Sequence, residues 1–296
     1  MNLNKAPSLP AIHPYCALLS GVLAVSTGAV FARLADAPPL IIAAYRLGIA
    51  VLLLAPLALW KFRKEIGSLS KSEWGFTLLA GFFLALHFAF WISSLAFTSV
   101  ASSVVLVNTN PLWVALFTPV ITAERLRPAA WVSIVMSVTG AVLIGAGDFE
   151  SGGKALRGDF LALAGGICMA VYLLLGKKLR GRLSLIGYVF VCYAAAAACL
   201  WLAVLLLRIP FTGFGSGTWA LFGAMAFISQ LVGHTSYNWA LKWLSTSLVA
   251  VSLLGEPIGS TILAYLLLGE TPGGVKLGGG VLILAGIYIA AVNEKK

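Results

Sequence analysis

The chain has 296 residues, of which 60% are hydrophobic and only 10% are charged. A soluble domain carries about 25% charged residues, so this composition excludes a soluble globular protein and predicts that lipid surrounds most of the chain. The net charge is +10, but the basic residues are scattered between apolar stretches. The excess charge therefore indicates membrane topology and contact with anionic lipid, and no nucleic-acid partner is expected.

Ten apolar stretches follow one another along the chain. Each has roughly the 20 residues that a helix needs to cross a bilayer. In chain order they cover residues 14–34, 39–60, 74–96, 100–121, 129–147, 158–177, 185–207, 218–241, 246–268 and 274–292. The linkers between them are too short to fold as separate domains. The sequence thus predicts an all-α integral membrane protein with ten transmembrane helices.

Lysine and arginine are distributed unevenly between the two sides of this predicted arrangement. With a cytoplasmic N-terminus, ten spans place fourteen basic residues on the cytoplasmic side and five on the outer side. Cytoplasmic loops of membrane proteins carry such an excess. The asymmetry predicts a multi-pass protein of the plasma membrane, in a bacterium the inner membrane, with both termini in the cytoplasm.

The second half of the sequence weakly repeats the first at an offset of 146 residues. Asn110-Pro111 aligns with Glu256-Pro257, Glu124 with Glu270, and Gly140 with Gly286. The matches keep one register across two spans and the loop between them, although chance similarity of two apolar stretches is the alternative. Five spans per copy would invert the second copy, a common plan in secondary transporters. The prediction is two inverted five-helix repeats, at residues 1–147 and 158–296.

Small residues recur at every fourth position in several predicted spans. Gly81, Ala85 and Ala89 do so in the third span, and Ser133 and Ser137 begin such a series in the fifth. Stripes of this kind let helix backbones approach closely in lipid, so they predict a tightly packed bundle.

These segments resemble the drug/metabolite transporter superfamily, specifically its EamA-type ten-helix branch, and the resemblance covers essentially the whole chain. Two segments carry it: LAFTSVASSVVLVNTNPLWVALFTPVITAERL and WALKWLSTSLVAVSLLGEPIGSTILAYLLLGE. In that family a short Ala-rich entry leads into a span with a central proline and a final Gly-Glu. The second copy has Glu256-Pro257 and Gly269-Glu270, whereas the first has Asn110 and Ala123. The resemblance implies a carrier of small metabolites such as amino acids, with export favoured and no cofactor.

Polar groups at membrane depth are costly, so each is a candidate for a role in binding. Glu256 lies near the middle of the ninth span, with Ser252 and Ser260 one turn to either side. Pro257 cannot donate a hydrogen bond to the carbonyl of Leu253, which leaves an acceptor there. This combination suits a substrate ammonium group or a proton. The alternative is a buried glutamate that only fixes helix packing.

Three polar residues of the eighth span, Gln230, His234 and Asn238, are spaced four apart and form one stripe. The stripe would be very unfavourable against lipid, so it is expected to face the interior. It can line a cavity, or it can form hydrogen bonds between helices without a substrate.

The first half of the chain supplies further candidates. His87 and Trp91 lie on an aromatic side of the third span and could contact substrate or pack in the core. Asn110 lies close to Asn108 and directly before Pro111, and it aligns with Glu256 but carries no charge. It could bind substrate, or it could only mark a helix break. Arg46 in the second span could bind a substrate carboxylate through two hydrogen bonds, or snorkel to the outer interface.

The function that follows is secondary transport of a small molecule by alternating access, with protons as a candidate coupling ion. No nucleotide-binding Gly-x-x-x-x-Gly-Lys-Ser/Thr motif occurs, so ATP-driven pumping has no support. A membrane enzyme is not expected, because the loops are too short to hold a headgroup. A channel or a lipid-handling protein is the alternative. The sequence leaves the substrate and the oligomeric state open.

Overall fold

The structure is a computed structural model that describes residues 12–98, 100–121, 126–145, 153–268 and 273–293. Every regular element in these ranges is a helix. Ala123, Glu124, Gly269 and Glu270, which the comparison of the two halves uses, lie outside the described residues.

The helices that form spans 1 to 5 come first. They are α1 (Pro14–Ser26) and α2 (Gly28–Leu34) in span 1, α3 (Pro39–Lys61) in span 2, the short connecting helix α4 (Arg63–Gly67), α5 (Lys71–Ser94) in span 3, α6 (Val100–Val107) and α7 (Asn110–Ile121) in span 4, and α8 (Pro128–Gly145) in span 5.

Spans 6 to 10 follow in the second half. They are α9 (Gly153–Arg180), α10 (Leu185–Leu206), then α11 (Ser216–Ala224) with the π-helical segment Met225–His234 and α12 (Thr235–Ala240) in span 8, α13 (Thr246–Leu253) with α14 (Gly255–Leu268) in span 9, and α15 (Gly274–Val292).

Seven of the described helical stretches are long and apolar enough to cross a bilayer, and residues 128–143 and 277–292 form two shorter apolar helices. Residues 216–240 complete the set, but the π-helical segment divides them. Large apolar side chains such as Leu52, Leu206 and Val120 are exposed on the outside of the bundle, where lipid would cover them. The predicted all-α, ten-helix membrane fold is confirmed.

Helix packing follows the predicted inverted repeat. Span 3 (α5) packs on span 6 (α9). The equivalent pair is span 8 on span 1, in which the π-helical segment and α12 pack against α1. Span 3 also contacts span 7, as span 8 contacts span 2. Spans 5 and 10 pack on each other, as do spans 2 and 7. Exchanging the two halves therefore reproduces these contacts, as expected for two five-helix repeats related by a two-fold axis.

The contact between spans 5 and 10 shows this symmetry at the level of single residues. A Cβ atom added to Gly140 would lie 2.5 Å from the Gly279 carbonyl oxygen and would also overlap Ile283. A Cβ atom on Gly286 would overlap Ser137 and the Ser133 carbonyl. The two sets of contacts are equivalent in the repeat, because Gly140 aligns with Gly286, and Ser133 and Ser137 align with Gly279 and Ile283. The small residues predicted for close approach are thus in contact.

Spans 4 and 9 are interrupted at equivalent places. Helix α6 ends at Val107, and α7 begins at Asn110; helix α13 ends at Leu253, and α14 begins at Gly255. Each break comes just before a proline, Pro111 or Pro257, whose missing N–H leaves a carbonyl of the preceding turn without its helical donor. Broken helices facing each other between two repeats are typical of transporter binding sites.

Candidate substrate-binding site

A small cavity lies where the two broken spans meet spans 1, 2, 3, 6 and 8. Its volume is about 20 Å³, enough for about one water molecule. The lining residues are Val25, Arg46, His87, Trp91, Val107, Asn108, Asn110, Met169, His234, Tyr237, Leu253 and Glu256. Six of the residues singled out from the sequence are therefore brought together: Arg46, His87, Trp91, Asn110, His234 and Glu256.

Arg46 on α3 is held away from both membrane surfaces, with 1% of its surface exposed. Its Nε donates a hydrogen bond to Oε1 of Gln230 at 2.9 Å, and its Nη2 donates to the Ser229 carbonyl at 3.3 Å. Its Cζ lies 4.1 Å from the centre of the Phe88 ring, a cation–π contact. Because Arg46 is buried in this way, it does not snorkel to the interface.

Gln230 contacts this arginine and does not itself line the cavity. It lies in the π-helical segment of span 8, in which the Ser229 carbonyl also accepts a bond from Arg46. Thr27, at the break between α1 and α2, bonds the Ser229 hydroxyl at 3.1 Å. π-Helical turns occur frequently at functional sites, and here the turn supplies two acceptors to one guanidinium.

Glu256 lies in the first turn of α14, with 8% of its surface exposed. Asn108 donates a hydrogen bond through Nδ2 to Oε2 of Glu256 at 3.1 Å, so the neighbour of Asn110 supplies the contact. Ser252 and Ser260 donate instead to backbone carbonyls one turn before them, and neither lines the cavity. The expected row of hydroxyl groups beside Glu256 is therefore absent from the cavity wall.

Asn238 also lies outside the cavity. Its Nδ2 donates to the Tyr172 hydroxyl and to the His234 carbonyl, while its own carbonyl accepts from Nε of Arg180 at 2.9 Å. These bonds join spans 6 and 8 without leaving the side chain accessible. The alternative of interhelical hydrogen bonding thus describes Asn238, whereas His234 of the same stripe reaches the cavity.

His87 and Trp91 form an aromatic wall. The Nδ1 atom of His87 lies 3.0 Å from the Gly165 carbonyl, and its ring is stacked on Trp91 with centroids 6.0 Å apart. His234 of the other repeat lies 6.1 Å from His87, centroid to centroid. The two histidines thus meet at the cavity from opposite halves of the chain.

Four buried polar atoms of residues that line this cavity have no hydrogen-bond partner among the described residues. They are Nε1 of Trp91, Oδ1 of Asn110, Nδ1 of His234 and the Tyr237 hydroxyl. Buried polar groups are normally paired, and an unpaired one costs about 1–3 kcal/mol. Such a cluster indicates a place for a polar ligand. Tyr237 was not singled out from the sequence as a binding residue, although the offset of 146 aligns it with Trp91.

A larger cavity, of about 500 Å³, opens at one end of the bundle. It is lined by Thr118, Leu126, Arg127, Ala130, Ser133, Lys177, Trp243, Leu244, Ser245, Ser247, Leu248, Ala290 and Asn293. We call it the vestibule. Its lining comes from spans 4, 5, 6, 9 and 10 and from the segments before spans 5 and 9. The basic-residue distribution predicts the cytoplasmic side for all of these positions.

Contacts near the opposite end join the two halves of the chain. Thr98, after α5, donates a hydrogen bond to Oδ1 of Asp159 on α9 at 2.8 Å. The guanidinium of Arg157 lies 4.6 Å from the centre of the Phe97 ring. The two halves are also joined at the vestibule end, where Arg182 lies 3.8 Å from Glu73 and the Ser184 N–H donates to Glu65 at 2.7 Å.

Comparisons with known proteins agree with this architecture. A sequence profile of the EamA-like transporter family matches residues 13–146 and, a second time, residues 156–292. An "uncharacterized transporter" of Archaeoglobus fulgidus is 28% identical over 271 residues, which cover 88% of this chain and 90% of that protein. A "probable terminal-alkyne amino-acid exporter" of Streptantibioticus cattleyicolor is 27% identical over 189 residues, 62% of this chain and 61% of that protein.

A crystal structure superposes with a TM-score of 0.78 at 21% identity, covering 94% of this chain and 96% of that one, and shows the same fold. The family match covers most of the chain in two copies, and the relatives are transporters, not enzymes. The chain therefore belongs to the EamA-like transporter family, within the drug/metabolite transporter superfamily.

Proposed function

We propose that this transporter carries small zwitterionic metabolites, with amino acids as the leading class, by alternating access between two five-helix units at residues 1–147 and 158–296. Export from the cytoplasm is the proposed direction. The observation that carries the proposal is that the central cavity contains two oppositely charged side chains, Arg46 and Glu256, each held by a neutral amide.

These two charges do not neutralise each other by direct contact. The ion pair found among the described residues joins Arg182 to Glu73 near the end of the bundle, at 3.8 Å, and not Arg46 to Glu256. Buried charges without a paired charge are unfavourable. A ligand with a carboxylate and an ammonium group close together could compensate both charges at once.

Each charged group suits one end of such a ligand. Arg46 keeps one edge of its guanidinium on Gln230 and Ser229, and its planar fork can bind a carboxylate through two hydrogen bonds. Glu256 can accept hydrogen bonds from an ammonium group. Asn110 Oδ1 and the Tyr237 hydroxyl, which have no partner in the described structure, can accept further ammonium protons.

The relatives favour the same class of substrate. The Streptantibioticus cattleyicolor protein is named as a probable exporter of terminal-alkyne amino acids, which supports both an amino-acid backbone and outward transport for this chain. A vestibule lined by positions predicted to be cytoplasmic also fits a carrier that loads substrate from inside the cell.

Glu256 is also the proposed site of proton coupling. A carboxyl group buried in the bundle favours its neutral form, whereas a bound ammonium favours its ionised form. Binding of a cationic group would therefore release a proton, and release of substrate would allow the proton to return. This exchange links proton movement to transport without a further cofactor.

The test is transport of radiolabelled amino acids by the purified protein in proteoliposomes, with and without a pH gradient. Glu256→Gln keeps size and hydrogen bonding but removes the charge, so it should abolish flux driven by the gradient while the protein remains folded. Asp36→Asn, which changes an exposed acid in the loop between α2 and α3, is the control and should transport normally. Normal transport by Glu256→Gln over about pH 5.5–8 would contradict the proposed role of Glu256, and flux that never saturates would indicate a channel.

A further inference from the structure

Ten of the twelve residues that line the central cavity form five pairs related by the internal repeat. The pairs are Val25 with Met169, His87 with His234, Trp91 with Tyr237, Val107 with Leu253, and Asn110 with Glu256, at separations of 144 to 147 residues. Each pair contributes one residue from each half of the chain. The wall of the cavity therefore has approximate two-fold symmetry.

Neighbouring contacts support the pairing of spans 1 and 6. A Cβ atom on Gly21 would lie 2.8 Å from the Tyr237 ring, and one on Gly165 would lie 3.3 Å from Trp91. These glycines precede Val25 and Met169 by one turn in their spans. Val25 and Met169 are therefore contributed to the cavity by equivalent turns of spans 1 and 6.

The charges do not share this symmetry. Arg46 has no basic counterpart, because the repeat places Cys192 at the equivalent position, and the counterpart of Glu256 is the neutral Asn110. The two charged groups are therefore the asymmetric part of the site. Beside the aromatic and amide side chains already described, the lining contains four aliphatic residues: Val25, Val107, Met169 and Leu253.

We infer that these four aliphatic residues form a subsite for a short, uncharged aliphatic side chain, and that Met169 sets the maximum length of that side chain. The inference rests on the proposed amino-acid site and specifies which amino acids it takes. The subsite selects the side chain, whereas Arg46 and Glu256 bind the groups that all amino acids share.

Charge excludes one group of substrates. Arg46 and Glu256 are the charged residues that line the cavity in the described part of the chain, and the carboxylate and ammonium of the ligand occupy both. A third charge, from a lysine or aspartate side chain, would be buried without an oppositely charged partner among the lining residues. Burial of an unpaired charge is strongly unfavourable, so such substrates are rejected.

Size excludes another group. The cavity of about 20 Å³ must widen to admit any amino acid, and its wall can move at few places. Val25 is packed against Gly233, where an added Cβ atom would lie 2.6 Å from its Cγ1, and Val107 is also β-branched and therefore stiff. Met169 has an unbranched, flexible side chain that can change rotamer. The space that Met169 vacates limits the length of the substrate side chain.

The test measures transport efficiency for alanine, valine, leucine, phenylalanine, lysine and aspartate in proteoliposomes. Wild-type protein should prefer alanine and valine and reject lysine and aspartate. Met169→Ala removes three heavy atoms from the wall, so it should raise the leucine-to-alanine ratio by about tenfold or more, the effect of one or two methylene groups in an apolar pocket. Met169→Val introduces the residue type of its repeat partner Val25 and should shift the ratio less, in the same direction.

The matched control is Met225→Ala. Met225 is fully buried but does not line the cavity, so its loss should lower stability without changing the preference. An unchanged ratio in both Met169 variants, an equal shift in Met225→Ala, or efficient lysine transport by wild-type protein would overturn the subsite. If wild-type protein transports no amino acid, the proposed function fails as well; amino-acid transport with unaltered preference in the variants overturns the subsite alone.

Discussion

Arg46 shows how one residue can be charged and still tolerated inside the bundle. Gln230 and Ser229 take one edge of its guanidinium, and the Phe88 ring covers one face. A hydrogen bond to a charged group is worth about 1.5–3 kcal/mol. In the proposed site Gln230 is therefore a positioning residue, because its hydrogen bond fixes the direction in which Arg46 presents its remaining donors.

The first prediction concerns this contact. Gln230→Leu removes the acceptor and should raise the KM for amino-acid transport by about 10–100-fold, the equivalent of one hydrogen bond to a charge. The maximal rate should change much less, because Arg46 itself remains. Thr235→Val is the control: Thr235 bonds the Gln230 carbonyl and the Tyr193 hydroxyl but not Arg46. Equal KM values for wild type and Gln230→Leu would show that Gln230 has no part in positioning.

At the residue scale, the sequence shows which side chains of span 8 are polar and share a face, but not which residues they contact. Gln230, His234 and Asn238 share one stripe, yet their surroundings differ. Gln230 bonds Arg46, His234 lines the cavity, and Asn238 bonds Tyr172. Spacing on a helix fixes the face of a side chain and not what that face meets. The partners come from helices far apart in sequence, which a single sequence does not pair.

At the scale of elements, glycines decide how closely the two halves approach. Spans 5 and 10 touch through Gly140 and Gly286, with backbone atoms of the other helix directly opposite. A methyl group at either position would meet a carbonyl group that cannot rotate away. The contact is therefore sensitive to the addition of a single carbon atom.

Gly286→Ala and Gly140→Ala should each destabilise the protein by about 1–3 kcal/mol, as expected for overpacking. Thermal unfolding of the purified protein in detergent measures the effect as a lower Tm. Gly278→Ala in the same helix as Gly286 is the control, because no atom lies within 4 Å of an added Cβ there. A similar loss in all three variants would mean that helix distortion, and not the contact, is responsible.

The sequence predicts those helices and helix breaks that are caused by residues close together in the chain. Apolar length gives the ten spans, and small-residue spacing gives the packing of Ser133 and Ser137 against span 10. The prolines at 111 and 257 indicate the helix breaks. The π-helical segment of span 8 was not predicted, because it contains no proline and its Ser229 carbonyl is bonded by Arg46, 183 residues earlier in the chain.

At the scale of the whole molecule, the two ends differ. The vestibule opens at the end where spans 4, 6, 8 and 10 finish and spans 5 and 9 begin. At the other end, Thr98 bonds Asp159, and the central cavity lies between as a small, separate space. Among the described residues, the larger cavity thus lies at one end of the bundle, and the orientation in the membrane decides which side it faces.

The last prediction is that the vestibule faces the cytoplasm. Lys64 in α4 is exposed on the end of the bundle predicted to be cytoplasmic, and Gly213, in the loop between α10 and α11, is exposed on the other. In a chain whose four native cysteines are replaced by alanine, Gly213→Cys should react with a membrane-impermeant maleimide added to intact cells. Lys64→Cys should react only after the membrane is opened, because basic loops remain inside. The reverse pattern would place the vestibule outside and contradict the predicted orientation, and labelling of both from outside would contradict the ten-span topology.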